Sequence, residues 1–238
     1  MYTEAPSEST GAGGAPKLAA PRMQPGLKSR LRTLASRALP RSVLTYRGVG
    51  DARRVALTFD DGPHEMTLAY LDLLERFGAR ATFFVVGNQC IGRSEILRRI
   101  VERRHEVAGH GFSHRAFPKM GIGPLHDELQ RTTALLPPER ATPRRLVRPP
   151  YGATSVRSLA VCAAAGYTTV MWSRDSDDCR TQAPDEIVAR VAPADLRPGE
   201  IVLLHEGQSW TLAALPRILE ALANAGWKAV TVGEILAP

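Results

Sequence analysis

The run Val55 to Phe59 is apolar, ends on two adjacent carboxylates, Asp60 and Asp61, and is broken by Gly62-Pro63 before His64. A short apolar run bounded by turn residues reads as a buried strand. In α/β folds the carboxyl ends of such strands carry the chemistry. Neighbouring carboxylates do not both stay ionised cheaply without a cation, so this stretch asks the rest of the chain for metal ligands. Taken alone, the same residues fit a strand-ending turn rich in Asp and Gly equally well.

Beyond Val55, strand and helix patterns alternate. Strands are expected at 55–59, 81–86, 106–108, 146–148, 168–171, 201–204 and 228–232, and helices at 67–77, 94–102, 124–136, 155–165, 184–191 and 211–225. Alternation with short connections implies an α/β fold, a parallel sheet covered by helices. About seven strands over this length suit a closed or partly closed (β/α) barrel better than an open sheet. A chain of 238 residues, 44% hydrophobic and 23% charged, can bury one such core.

The net charge of +7 is concentrated at one end, because residues 1–50 hold eight Lys/Arg against two Glu. The body is nearly neutral, so no nucleic-acid partner is expected beyond what this arm offers. Residues 1–26 are Pro/Gly-rich and read as disordered. Over 27–39, Leu27, Leu31, Leu34 and Ala38 recur at helical spacing among Lys28, Arg30, Arg32 and Arg37, and Pro40 follows. This short basic amphipathic helix either packs on the domain, the favoured reading, or makes weak contact with an anionic membrane surface. The expected division is an arm over 1–50 and a domain over 51–238. Cys90, Cys162 and Cys179 are odd in number and far apart, which does not suit a disulfide framework. With no apolar run of membrane-spanning length and no basic-then-apolar leader, the expected location is cytoplasmic. Composition leaves the oligomeric state open.

Further polar groups fall at the same ends of successive strands. His110 and His114, four apart after the third expected strand, can face one metal across a loop that Gly109 and Gly111 favour. With one carboxylate of the Asp60-Asp61 pair they would form a hydrolytic zinc arrangement with open positions. Arg148 to Tyr151 follows the fourth strand, Trp172 to Asp178 the fifth, and His205 ends the sixth. Each has an ordinary structural explanation. Their joint placement is what marks a site.

Five motifs now stand in order over roughly residues 54–235: Thr58 to Pro63, His110 to His114, Arg148 to Tyr151, Asp175 to Asp178, and Leu203 to His205. On these the chain resembles the polysaccharide deacetylase family, the NodB-homology domain of carbohydrate esterase family four. It departs at Cys179, where the family usually has Trp, and at Glu206, where Asp is more usual. The resemblance implies a distorted (β/α) barrel that removes acetyl groups from N-acetylated sugars. It implies one divalent metal, commonly zinc, on Asp61, His110 and His114. Asp60 is then the general base, tuned by Arg148, and His205 the general acid, oriented by Asp178. The Tyr151 backbone N–H stabilises an oxyanion and Leu203 lines the methyl pocket. With a thiol in place of the indole, the acyl groove beside Cys179 is either wider or filled by Trp172 or Trp210. Two other functions stay open: an amidohydrolase for a small acylated compound, and a barrel that binds glycan without turnover.

Overall fold

The computed structural model of the chain describes residues 39–138 and 145–237. The stretch 1–26, and all of the helix expected over 27–39 except Leu39, lie outside the described residues. The apolar run at Val55 forms the middle of β2 (Arg54–Gly62), the longest strand among the described residues. In chain order the elements are β1 (Leu44–Thr45), β2, α1 (Thr67–Arg76), β3 (Thr82–Val85), α2 (Gly87–Cys90), α3 (Ser94–Glu102), β4 (Glu106–Gly109), α4 (Ile122–Thr133) and β5 (Arg145–Val147). There follow α5 (Val156–Ala164), β6 (Tyr167–Val170), β7 (Arg174–Asp175), α6 (Pro184–Arg190), β8 (Ile201–His205), α7 (Ser209–Asn224), β9 (Lys228–Val230) and α8 (Val232–Leu236).

The strands form one sheet in the order β1-β6-β5-β4-β3-β2-β8-β7, with β9 also pairing β2, and the ladders are parallel. Nine strands therefore stand where about seven were expected. The two additions, β1 and β7, are two residues long and too short to show a periodicity. Curvature follows from connectivity. β6 and β7 are six strand positions apart along the sheet, about 29 Å if it were flat. Only Met171, Trp172 and Ser173 join them, a span of at most about 14 Å. The sheet must curl into a distorted barrel to bring its ends together.

Two cores result from the period-2 alternation of the strands. Leu57, Phe59, Phe83, Val202 and Leu204 face the covering helices, where Leu71, Leu74, Leu97, Ile100, Leu215 and Ile218 meet them. Ala56, Phe84, Ala108, Leu146, Val170, Ile201 and Val230 fill the barrel interior. Helix boundaries follow local chemistry: α5 opens with a reciprocal Ser155–Ser158 capping box and is followed by Gly166 at φ +80°. No helix among the described residues is long and apolar enough to cross a membrane.

Phe59 is fully buried, stacked on Phe83 and edge-on to Tyr70, with both centroid separations 5.2 Å. Phe59→Ala should cost about 3–5 kcal/mol, read as a lowered midpoint in urea unfolding. A loss under about 1 kcal/mol would mean that the helix-side core repacks around the gap.

Candidate active site

In a regular strand successive side chains point to opposite faces, which would separate Asp60 from Asp61. A bulge prevents this. Asp60 pairs with Phe84 and Gly62 with Val85, so Asp61 is the extra residue, held at φ +73°, a conformation that Asp tolerates better than most residues. Both carboxylates consequently approach His110 Nε2, Asp60 Oδ2 at 3.7 Å and Asp61 Oδ1 at 3.5 Å.

The first of the pair meets a protein cation. Arg148 is fully buried, and its Nη1 donates to Asp60 Oδ1 at 2.7 Å and to Thr58 Oγ1 at 2.8 Å. Its Nε and Nη2 donate to the carbonyls of Val170 and Met171, and its guanidinium lies 4.0 Å from the centre of the Phe84 ring. Asp60 Oδ1 is thus engaged, while Oδ2 faces the histidines.

His110 sits just past β4 and His114 in the following loop at φ +56°, as the glycine spacing suggested. His110 is buried, and its Nδ1 donates to the Arg148 carbonyl at 2.8 Å. A carbonyl only accepts, so Nε2 is left as a lone pair aimed at the carboxylates. Burial lowers the His110 pKa, which keeps the ring neutral. His114 Nε2 lies 3.0 Å from Asp61 Oδ1. Burial works against ionised Asp61, but the hydrogen bond from His114 and the neighbouring histidines outweigh it and hold the carboxyl below its ordinary range. One donor atom each from Asp61, His110 and His114 fall within 4.8 Å of one another. The bare Nε2 of His110 facing two carboxylates, with His114 Nε2 converging on the same Asp61 Oδ1, is a donor set that fits a divalent metal.

Opposite stands His205, at the end of β8 and in register with Asp60. Its Nδ1 lies 2.7 Å from Asp178 Oδ1, and its backbone N–H donates to Asp178 Oδ2 at 2.8 Å. Asp178 is fully buried and also accepts from Thr211 Oγ1 at 2.8 Å. Burial alone would lower the His205 pKa; the Asp178 hydrogen bond and charge reverse this and raise it to about 9.

The remaining expected residues surround this group. Tyr151 is 72% exposed, at φ +61°, with its ring centre 4.7 Å from that of His114. Trp172 packs against Gly152, where an added Cβ would lie 2.5 Å from the indole, and its Nε1 donates to Asp175. Leu203, in register with Thr58, is buried on the same interior side as His205. Cys179 is exposed, and of the two tryptophans considered as fillers beside it, Trp210 reaches the Asp178 carbonyl at 2.7 Å. Glu206 turns back under β2: its backbone N–H donates to the Asp60 carbonyl and its Oε2 accepts from Thr67 Oγ1. Burial pushes its carboxyl up to about 8. A Cβ added at Gly62 would lie 1.3 Å from Glu206 Oε1.

One supporting residue escaped the sequence reading. Glu128 accepts from the backbone N–H of Phe112 and Ser113 at 2.7 and 2.8 Å and from Ser113 Oγ at 2.6 Å. It ties the loop between the histidines to α4. Its signal was a carboxylate on the buried stripe Leu125, Leu129, Thr132, where a charge needs a partner.

The sequence profile of the polysaccharide deacetylase family matches residues 47–170. A chitooligosaccharide deacetylase of a Bradyrhizobium species is 36% identical over 200 residues, covering 77% of this chain and 90% of that protein. A peptidoglycan-N-acetylglucosamine deacetylase of Listeria monocytogenes is 32% identical over 77% of this chain, which spans only 39% of that longer protein. Among solved structures, a family 4 carbohydrate esterase of Streptomyces lividans in complex with acetate superposes with a TM-score of 0.70 at 35% identity, covering 76% of this chain and 93% of the other.

The His205 contact has a pH signature in the metal-free protein. The folded pKa, about 9, lies above the ordinary 6.5. The contact therefore stabilises the fold fully below about pH 6.5, and that contribution fades as pH rises through about 9. Asp178→Asn should return the His205 titration, followed by imidazole NMR, to 6.5 or lower. A value still near 9 would assign the shift to another group.

Proposed function

Because this chain belongs to the polysaccharide deacetylase family, we propose that it is a metal-dependent hydrolase removing acetyl groups from N-acetylated sugars. Relatives similar in sequence carry that activity in their names, on chitooligosaccharide and on peptidoglycan N-acetylglucosamine. The observation that carries the reading is one mouth holding both the Asp61, His110 and His114 donor set and, in register across β2 and β8, Asp60 and His205.

In this reading Asp61, His110 and His114 hold the cation, zinc being the ion this ligand set suits. A divalent cation in that place supplies Lewis acidity, polarising a carbonyl and making water acidic enough to attack near neutral pH. Asp60 takes the proton of the attacking water at Oδ2, since Oδ1 is held by Arg148. Arg148 holds Asp60 in place and aims its free oxygen at the mouth. His205, with Nδ1 on Asp178, presents a protonated Nε2 to the departing amine and so serves as the acid. The Tyr151 backbone N–H, set by the left-handed turn, donates to the developing oxyanion. Leu203 walls the acetyl methyl, and Trp172 buttresses the Tyr151 turn from below. Residues 51–238 carry these groups. Residues 1–50 hold the basic arm, whose end from Leu44 feeds the sheet.

Acetate release from chitin oligomers, peptidoglycan fragments and small N-acetyl compounds tests the function. Release from the small compounds alone would favour an amidohydrolase, and release from none would favour a binding barrel. His114→Ala should lose most bound metal by elemental analysis, and retention equal to wild type would remove His114 from the ligand set. Asp60→Asn should keep its metal while turnover falls about 10²–10⁴-fold. Turnover within a few-fold of wild type would rule Asp60 out as the base.

A further inference from the structure

Beside the ligand histidine lies a cavity of about 480 Å³ lined by His114, Arg115, Ala116, Lys119 and Tyr151. Arg115 and Lys119 are both at its wall, and the side chain of neither has an ion pair or hydrogen bond among the described residues. No carboxylate lines the cavity. Elsewhere on the surface Arg98, Arg99, Arg103, Arg131 and Arg217 are paired with carboxylates, whereas Arg76, Arg104, Arg197 and Lys228 have no carboxylate partner among the described residues; Arg115 and Lys119 differ from these in sharing one cavity beside His114. The wall carrying the two free cations is anchored. Phe117 between them is fully buried, Phe117–Lys119 form a 3-10 turn, and Arg157 donates to the carbonyls of Pro118 and Met120 at 2.9 and 3.1 Å.

Two unpaired cations fixed on one wall repel each other until an anion arrives. A neutral sugar chain offers them nothing. The exposed Tyr151 ring gives the same cavity an apolar face of the kind on which a sugar ring stacks. We propose that this cavity is a subsite for an anionic substituent, a carboxylate or a phosphate, on the sugar next to the one that loses its acetyl group. The substrate class is then acidic N-acetylated glycans. This rests on the deacetylase reading of the neighbouring site and adds a specificity that reading does not contain.

The test is affinity for three oligomers of one length: neutral N-acetylglucosamine tetramer, the same tetramer with one C6 carboxylate, and the same with one C6 phosphate. The protein is held on a biosensor surface, where flow replaces any oligomer consumed. Wild type should bind at least one anionic form roughly 3- to 20-fold tighter than the neutral one, as two exposed charge contacts allow. Which anion is preferred identifies the source. The ratio should approach one in Arg115→Gln/Lys119→Gln, and in wild type as salt rises from about 0.01 M to about 1 M. Equal affinity for all three in wild type, or a preference that survives the double variant, overturns the subsite. Acetate release from the neutral tetramer, measured in parallel, reports separately on the deacetylase reading.

Discussion

The buried pair of Arg148 and Asp60 is the interaction on which the site depends. A guanidinium with no solvent exposure is costly to place, and burial alone disfavours its charge. Here it is repaid by a carboxylate, a hydroxyl, two carbonyls and an aromatic face drawn from β2, β3, β6 and the residue after β6. The same residue accepts the His110 Nδ1 proton at its own carbonyl. One side chain therefore joins the strands inside the barrel and aims Asp60, and its backbone sets the tautomer of His110. Removing either charge would strand the other in the interior, at a cost of about 3–5 kcal/mol.

That pairing also explains why two adjacent acids take different parts. The sequence raised the question of what cation relieves Asp60 and Asp61, and the barrel answers it twice. Asp60 has a cation built into the fold. Asp61, swung onto the same mouth by the bulge, has no Arg or Lys partner among the described residues, and it is Asp61 that joins the histidine donors.

Much of this was legible in the chain because it rests on local pattern. The long strands announce themselves as apolar runs; His110, Arg148 and His205 stand out as polar residues directly after or at the ends of strands, and Asp178 closes the acidic loop that follows the strand at 168–171. What could not be read depends on tertiary partners. β1 and β7 are strands only because β6 and β8 lie beside them. The bulge leaves no periodicity, so the shared orientation of Asp60 and Asp61 was invisible. Trp210 meets the Asp178 carbonyl across 32 residues of sequence. Glu128 lay between these cases: its place on an apolar stripe was visible, its partner was not.

Glu206 and Gly62 occupy what is in effect one volume, for the carboxyl of one fills the space where the other lacks a methyl. A side chain at position 62 would require the Glu206 carboxyl to leave the place where it meets Thr67. The two sites are distant in sequence yet cannot drift independently. A chain carrying a methyl at 62 must move or shorten the side chain at 206, and with it the contact to Thr67 that ties the turn after β8 to α1. What happens at 206 thus reaches the active-site strand through shared volume rather than through any bond.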